Sequence, residues 1–154
     1  MKSRSLVMAL VAVAVVMSAA GCGGTDKTAS SAEAPGLAPD PDGILCPDNA
    51  KGPKAVAVYI NIAYALDGTP SASPDQCYVD AGTKITWRDP PDKTTAFNVI
   101  FSSAPPTAEG AARLSAMSAA GRYKVTITTY GSAGSYKYGL QANGKTVDPA
   151  IIIR

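Results

Sequence analysis

The chain has 154 residues, a formal net charge of +2, three cysteines and no histidine. This length gives room for one ordinary domain. The absence of histidine excludes Ser-His-Asp and Cys-His nucleophile systems, imidazole metal sites and the commonest general base. Met117 is the only methionine outside the first 21 residues, so thioether metal sites are poorly supported as well.

The first 22 residues have the pattern of an export signal. Lys2 and Arg4 precede an uncharged apolar run, Leu6 to Ala20, that is too short to span a membrane. Ala19-Ala20-Gly21-Cys22 then resembles the bacterial lipobox, which implies that residues 1–21 form a signal peptide and that Cys22 carries lipid. Two or three acyl chains would anchor the protein stably in a membrane. The alternative is ordinary cleavage after the small residues, which would leave a free thiol.

The net charge belongs to the signal. Lys2 and Arg4 account for all of the +2, so the chain from Cys22 onward is neutral. Neutrality gives no electrostatic case for a nucleic-acid partner. We expect a lipid-anchored protein of the cell envelope, located at the outer membrane facing the periplasm in a Gram-negative cell. Gly23 is consistent with that sorting, because the Asp retention signal is absent. In a Gram-positive cell the same anchor would place the protein on the outer face of the plasma membrane.

A linker composition separates the anchor from the domain. Residues 22–42 are mostly small, polar or proline, with Leu37 as the only large apolar side chain. Such a segment buries too little surface to offset its ordering entropy, so it is predicted to be a disordered tether. Residues 43–154 are predicted to form the single folded domain.

Alternating apolar residues predict that this domain is all-β. Turn residues separate the runs, and Asn143-Gly144 is the strongest hairpin signal. Thr107 to Ala120 stays open between a short helix, a loop and an edge strand through Arg113 to Met117. This pattern of strands favours a sandwich or barrel. The predicted strands are centred on Val56–Ile62, Thr83–Trp87, Phe97–Phe101, Tyr123–Thr128, Tyr136–Leu140 and Ile151–Ile153.

Two cysteines lie within the domain. Cys46 and Cys77 are predicted to form one structural disulfide, as expected for an exported protein with two domain cysteines. A redox or metal-binding pair is the alternative, but it lacks both a C-x-x-C spacing and a histidine partner.

Three stretches resemble cupredoxin-like domains: Cys77 to Asp89, Gly121 to Ile127 and Gly144 to Ile153. The resemblance covers roughly residues 55–154 and implies a Greek-key β-sandwich. The copper ligands of that family would fall near Ala96 to Asn98 and in Thr128 to Ser135, where this chain has no Cys, His or Met. A type 1 copper site needs two His, one Cys and usually an axial Met, so no cofactor is expected.

Two further groups of residues are candidates for a functional surface or site. Tyr130, Tyr136 and Tyr138 flank a Gly/Ser loop and are predicted as a surface for a protein or glycan, the alternative being core packing. Asp89 and Asp92 flank two prolines and are either paired carboxylates or a polar turn. We expect a non-catalytic binding or structural module. The alternatives are a carboxylate-dependent envelope enzyme and, less favoured, a metal-handling or electron-transfer protein.

Overall fold

A computed structural model describes residues 40–154 and shows only strands, turns and loops in that part of the chain. The predicted signal peptide, the Cys22 lipidation site and most of the predicted tether lie outside the described residues. The strands are β1 (Ile44–Leu45), β2 (Ala57–Tyr64), β3 (Pro70–Ser73), β4 (Gln76–Val79), β5 (Lys84–Arg88), β6 (Asn98–Phe101), β7 (Ala112–Leu114), β8 (Ala116–Met117), β9 (Tyr123–Thr128), β10 (Gly134–Ala142), β11 (Lys145–Val147) and β12 (Ala150–Ile153).

The strands form two six-stranded sheets, which confirms the predicted all-β sandwich class. The first sheet has the order β1-β2-β5-β9-β8, with β3 also pairing with β2. The second has the order β4-β12-β10-β6-β7, with β11 also pairing with β10. Both sheets are mixed, because β2 is parallel to β1 and β5, and β12 is parallel to β4.

The inner faces of the two sheets supply the core. Alternation of period two puts Ile85 and Trp87 inside on β5 and Ile151 and Ile153 inside on β12, all at most 2% exposed. Val56 was expected to continue the inner row of β2, but it precedes the strand and is 88% exposed. The buried hydrophobic residues are Cys46, Val58, Ile60, Ile62, Cys77, Val79, Ile85, Trp87, Phe97, Val99, Phe101, Val125, Ile127, Tyr138, Leu140, Ala142, Ala150, Ile151 and Ile153.

Thr107 to Ala120, for which the sequence allowed a helix, a loop or an edge strand, contains edge-strand residues that pass from one sheet to the other. Its first half, β7, pairs with β6 in the second sheet, and its second half, β8, pairs with β9 in the first. The crossover lies at Ser115, whose Oγ accepts a hydrogen bond from the Phe97 amide at 2.8 Å. The Ser115 amide donates to the Phe97 carbonyl at 2.9 Å. The two bonds hold the bend without helix formation.

Two hairpins meet at one end of the sandwich. Asn143 and Gly144 join β10 to β11 with φ of +51° and +73°, as the hairpin prediction required. The second hairpin joins β2 to β3. Asn143 Nδ2 donates to the Gly68 carbonyl at 3.0 Å, and Lys145 Nζ lies 2.6 Å from Asp67 Oδ2. We call this the entry end, because β5 ends here at Arg88, the residue that the first described residue, Asp40, contacts.

The opposite end, which we call the distal end, contains the start of β5 and the residues after β9. The register pairs Lys84 with Thr128 at this end and Arg88 with Lys124 at the entry end. Beyond Thr128, the Gly82 amide donates to the Thr129 carbonyl at 2.6 Å. The two ends therefore carry different loops.

Candidate functional site

The predicted disulfide is present and joins the two sheets. Cys46 follows the edge strand β1 of the first sheet, and Cys77 lies in β4 of the second. Their Cα atoms are 5.5 Å apart, and both side chains are buried. A buried bridge between the sheets is a structural cross-link.

Tyr138 does not belong to a binding surface, so that part of the tyrosine prediction is wrong. It is 1% exposed, because the register of β10 with β6 turns its ring toward the core beside Phe101. Trp87 Nε1 donates to its hydroxyl at 2.8 Å, and the two rings meet edge to face with centroids 5.3 Å apart. Burial raises the pKa of Tyr138.

Tyr130 and Tyr136 remain at the surface and bracket a loop at the distal end. Tyr130 is 57% exposed, and its amide donates to the Pro106 carbonyl at 2.8 Å. Tyr136 is half-buried, and its hydroxyl donates to the Ser132 carbonyl at 2.8 Å, which fixes the loop against its own strand. We call residues 130–136 the tyrosine loop. It presents one free aromatic ring beside small residues.

Asp89 and Asp92 lie in different environments. Asp89 is fully buried, and its carboxylate accepts hydrogen bonds from the Tyr64 hydroxyl at 2.6 Å and from the Thr95 amide at 2.8 Å. Burial is the main cause that raises the pKa of Tyr64, and the hydrogen bond to Asp89 raises it further. Asp92 is exposed. Asp89 therefore closes the loop from β5 toward β6 and uses both carboxylate oxygens to do so.

The two stretches assigned to copper ligands lie at opposite ends of the sandwich. Ala96 to Asn98 leads into β6 at the entry end, where Asn98 pairs with Gln141. Thr128 to Ser135 follows β9 at the distal end. The two stretches therefore do not lie together in this structure. The stretch that does face Ala96 and Asn98 is the β10–β11 hairpin, across a groove of about 320 Å³, and it contains no Cys, His or Met.

A larger groove runs beside β12. It has a volume of about 470 Å³, a floor that includes Ile152 and Pro149, and a rim with Asp75, Lys137 and Asp148. All three rim residues are exposed, and their charges are mixed. No group of three metal-ligating side chains occurs within residues 40–154.

The outer face of the first sheet carries an ionic cluster that the sequence did not indicate. Arg88 Nη1 lies 2.7 Å from Asp40 Oδ2 and 3.2 Å from Asp42 Oδ2. Lys124 Nζ lies 2.5 Å from the same Asp42 oxygen. The chain therefore contacts the domain three residues before the predicted boundary at Gly43. The available signal was the alternation of β5, which directs Arg88 away from the core.

Neither a scan of protein-family models nor a search of curated proteins gives a match to this chain. Within the part of the chain that the structure describes, no helix is long and apolar enough to cross a membrane.

Proposed function

We propose that this protein is a lipid-anchored, non-catalytic binding module of the cell envelope. Cys22 carries the anchor, a cupredoxin-like Greek-key sandwich without copper ligands is the scaffold, and the tyrosine loop contacts a protein or glycan of the envelope. The observation that carries the proposal is the position of the loop. It lies at the distal end, opposite the Arg88 end of β5 to which Asp40 is bound.

The number of residues between Cys22 and the folded domain supports a domain held near the membrane. Cys22 lies 18 positions before Asp40, and 18 residues span at most about 60 Å when fully extended. An anchored domain thus stays close to the membrane surface. The tyrosine loop contains none of the residues that hold the Asp40–Asp42 segment, and Tyr130 is 57% exposed, so its ring is free to meet a partner in the envelope.

The chemistry of the loop supports a neutral partner. An exposed tyrosine offers an apolar ring and a hydroxyl, and tyrosine is enriched at interfaces for that reason. The residues between Tyr130 and Tyr136 are glycine, serine and alanine, which allow a surface to approach closely. The loop itself contains no charged residue, in keeping with the neutral chain that follows Cys22.

The anchor is tested with Cys22→Ser in the native host. We expect the wild-type protein to incorporate labelled palmitate and to sediment with membranes. The variant should do neither and should keep an unprocessed or differently processed signal. A variant that stays in the membrane fraction with lipoprotein-type processing would refute lipidation at Cys22.

The binding surface is tested by capture from separated protein and glycan fractions of the envelope. Tyr130→Ala should weaken capture about tenfold or more, the loss expected for an aromatic anchor of an interface. Leu66→Ala is the matched control, because Leu66 is fully exposed at the tip of the β2–β3 hairpin, at the entry end. Equal capture by wild type and Tyr130→Ala would contradict the role of the loop.

A further inference from the structure

We propose that Tyr59, Asn61, Arg88 and Lys124 form a carboxylate-binding site for acidic peptide turns, and that the chain's own Asp40–Asp42 segment fills this site in cis. The inference does not rest on the tyrosine loop or on lipidation. It concerns a different surface, the outer face of the first sheet.

The site is built from one row of three neighbouring strands. Asn61 on β2 pairs with Arg88 on β5, and Arg88 pairs with Lys124 on β9. Tyr59 precedes Asn61 by two residues and therefore lies on the same face of β2. Paired strands fix these four side chains relative to one another, so the site does not depend on a loop.

Tyr59 and Asn61 hold the Arg88 side chain in place independently of the carboxylates. Its guanidinium carbon lies 3.4 Å from the centroid of the Tyr59 ring, and its Nε donates to Asn61 Oδ1 at 2.9 Å. With Asp40 and Asp42 bound, 9% of its side chain is exposed. A cation so far removed from water requires an anionic partner, and Nη1 is the atom that contacts the carboxylates.

The bound segment is a turn that presents two carboxylates together. The Gly43 amide donates to the Asp40 carbonyl at 2.9 Å, which closes a four-residue turn with Pro41 at its second position. The Asp42 amide also donates to Asp40 Oδ1 at 3.0 Å. Arg88 then contacts both side chains, and Lys124 contacts Asp42. Two cations face two anions, which defines the ligand class as an Asp-Pro-Asp-Gly type turn.

Electrostatics favours the docked state. Hydrogen bonding to Arg88 is the main reason that the pKa of Asp40 lies below its ordinary value. Attachment in cis gives the segment an effective concentration in the millimolar range, so an external acidic peptide competes poorly while the segment is intact. Neutralising the segment would leave Arg88 and Lys124 without anions and open the site to a ligand in trans.

The test uses the full-length chain with Asp40→Asn and Asp42→Asn together, titrated with a synthetic peptide of residues 37–44. Calorimetry should show binding to the double variant at least about tenfold tighter than to wild type, since the cis competitor is gone. The same peptide with both aspartates replaced by asparagine should not bind. Binding should also weaken at about 1 M salt.

Two further variants decide whether the binding uses the proposed site. In the double-variant background, Lys124→Gln should reduce peptide affinity and Arg88→Gln should abolish it, while circular dichroism reports that the sheets persist. Lys124 keeps the test valid if Arg88→Gln does not fold, because Lys124 lies on the outer face of β9. Equal binding to wild type and the double variant, no binding to either, or binding unaffected by Lys124→Gln would each overturn the proposal.

Discussion

A hydrogen bond between Trp87 and Tyr138 crosses the core between the two sheets. Trp87 lies on β5 of the first sheet and Tyr138 on β10 of the second, and both are at most 1% exposed. Trp87 Nε1 donates to the Tyr138 hydroxyl at 2.8 Å. The substitution Tyr138→Phe removes the acceptor and keeps the ring, so its effect isolates this bond.

The expected cost follows from the burial of the donor. The phenyl ring retains its packing against Trp87 and Phe101, so little apolar contact is lost. The indole N–H, however, is left without a partner in a site that water does not reach. An unsatisfied buried donor costs about 1–3 kcal/mol. This is a substantial part of the roughly 5–15 kcal/mol by which a domain is stable.

Urea unfolding measures the cost directly. Trp87 is the only tryptophan in the chain, so its fluorescence reports the core without interference, and circular dichroism gives a second probe. Tyr130→Phe is the matched control, because Tyr130 is 57% exposed and its loss should change stability by less than about 0.5 kcal/mol. Equal unfolding midpoints for wild type and Tyr138→Phe would refute the reasoning.

The pH dependence of the same variant gives an independent readout. Burial raises the pKa of Tyr138 in the folded state, so the unfolded chain loses this proton first as the pH rises above about 10. The contribution of the residue to stability is thus fully present below pH 10 and declines above it. The wild type should lose about 1.4 kcal/mol per pH unit more than Tyr138→Phe in that range. Parallel pH profiles would argue against a buried neutral hydroxyl.

Two further predictions concern the entry segment. Replacing Cys46 and Cys77 by serine should lower the free energy of unfolding by about 3–4 kcal/mol, from closure of a 31-residue loop; the urea midpoint should match that of reduced wild type, and an unchanged midpoint would contradict it. Gly43→Ala should be about 1–3 kcal/mol more destabilising than Gly82→Ala, because the two glycines have φ of +94° and +89° but only the Cβ at 43 would collide with the Ala57 carbonyl. Equal midpoints for the two alanine variants would show that the collision is relieved.

The strands and the disulfide were predictable because their signals are local. In Ile85-Thr86-Trp87 the apolar residues recur every second position, and a half-buried strand imposes that period. The pairing of Cys46 with Cys77 followed from counting the domain cysteines. In contrast, β3 contains Ser71, Ala72 and Ser73, whose small side chains give no alternation, so its pairing with β2 could not be recognised.

The direction and partners of polar side chains were not predictable, because they depend on distant parts of the chain. Tyr138 and Tyr136 lie on the same face of β10, yet only Tyr138 is covered by the opposing sheet. Asp40 carries no sign in its neighbourhood that it will meet Arg88, 48 positions later. Linker composition predicts disorder for residues 22–42, but the described residues Asp40 and Asp42 bind Arg88, which lies outside that segment.

The contacts of the entry segment form a consistent mechanical arrangement. Within seven residues, Asp40 and Asp42 bind Arg88, β1 pairs with β2, and Cys46 is covalently joined to Cys77 in the other sheet. A pull transmitted from the proposed anchor would meet the ion pairs first, then the short parallel strand, and finally a covalent bond that spans both sheets. None of these three attachments involves a residue of the tyrosine loop, so we expect a load on the tether to leave Tyr130 and its neighbours undisturbed. Strong attachment at one end and an undeformed aromatic surface at the other are the properties that a membrane-tethered binding module requires.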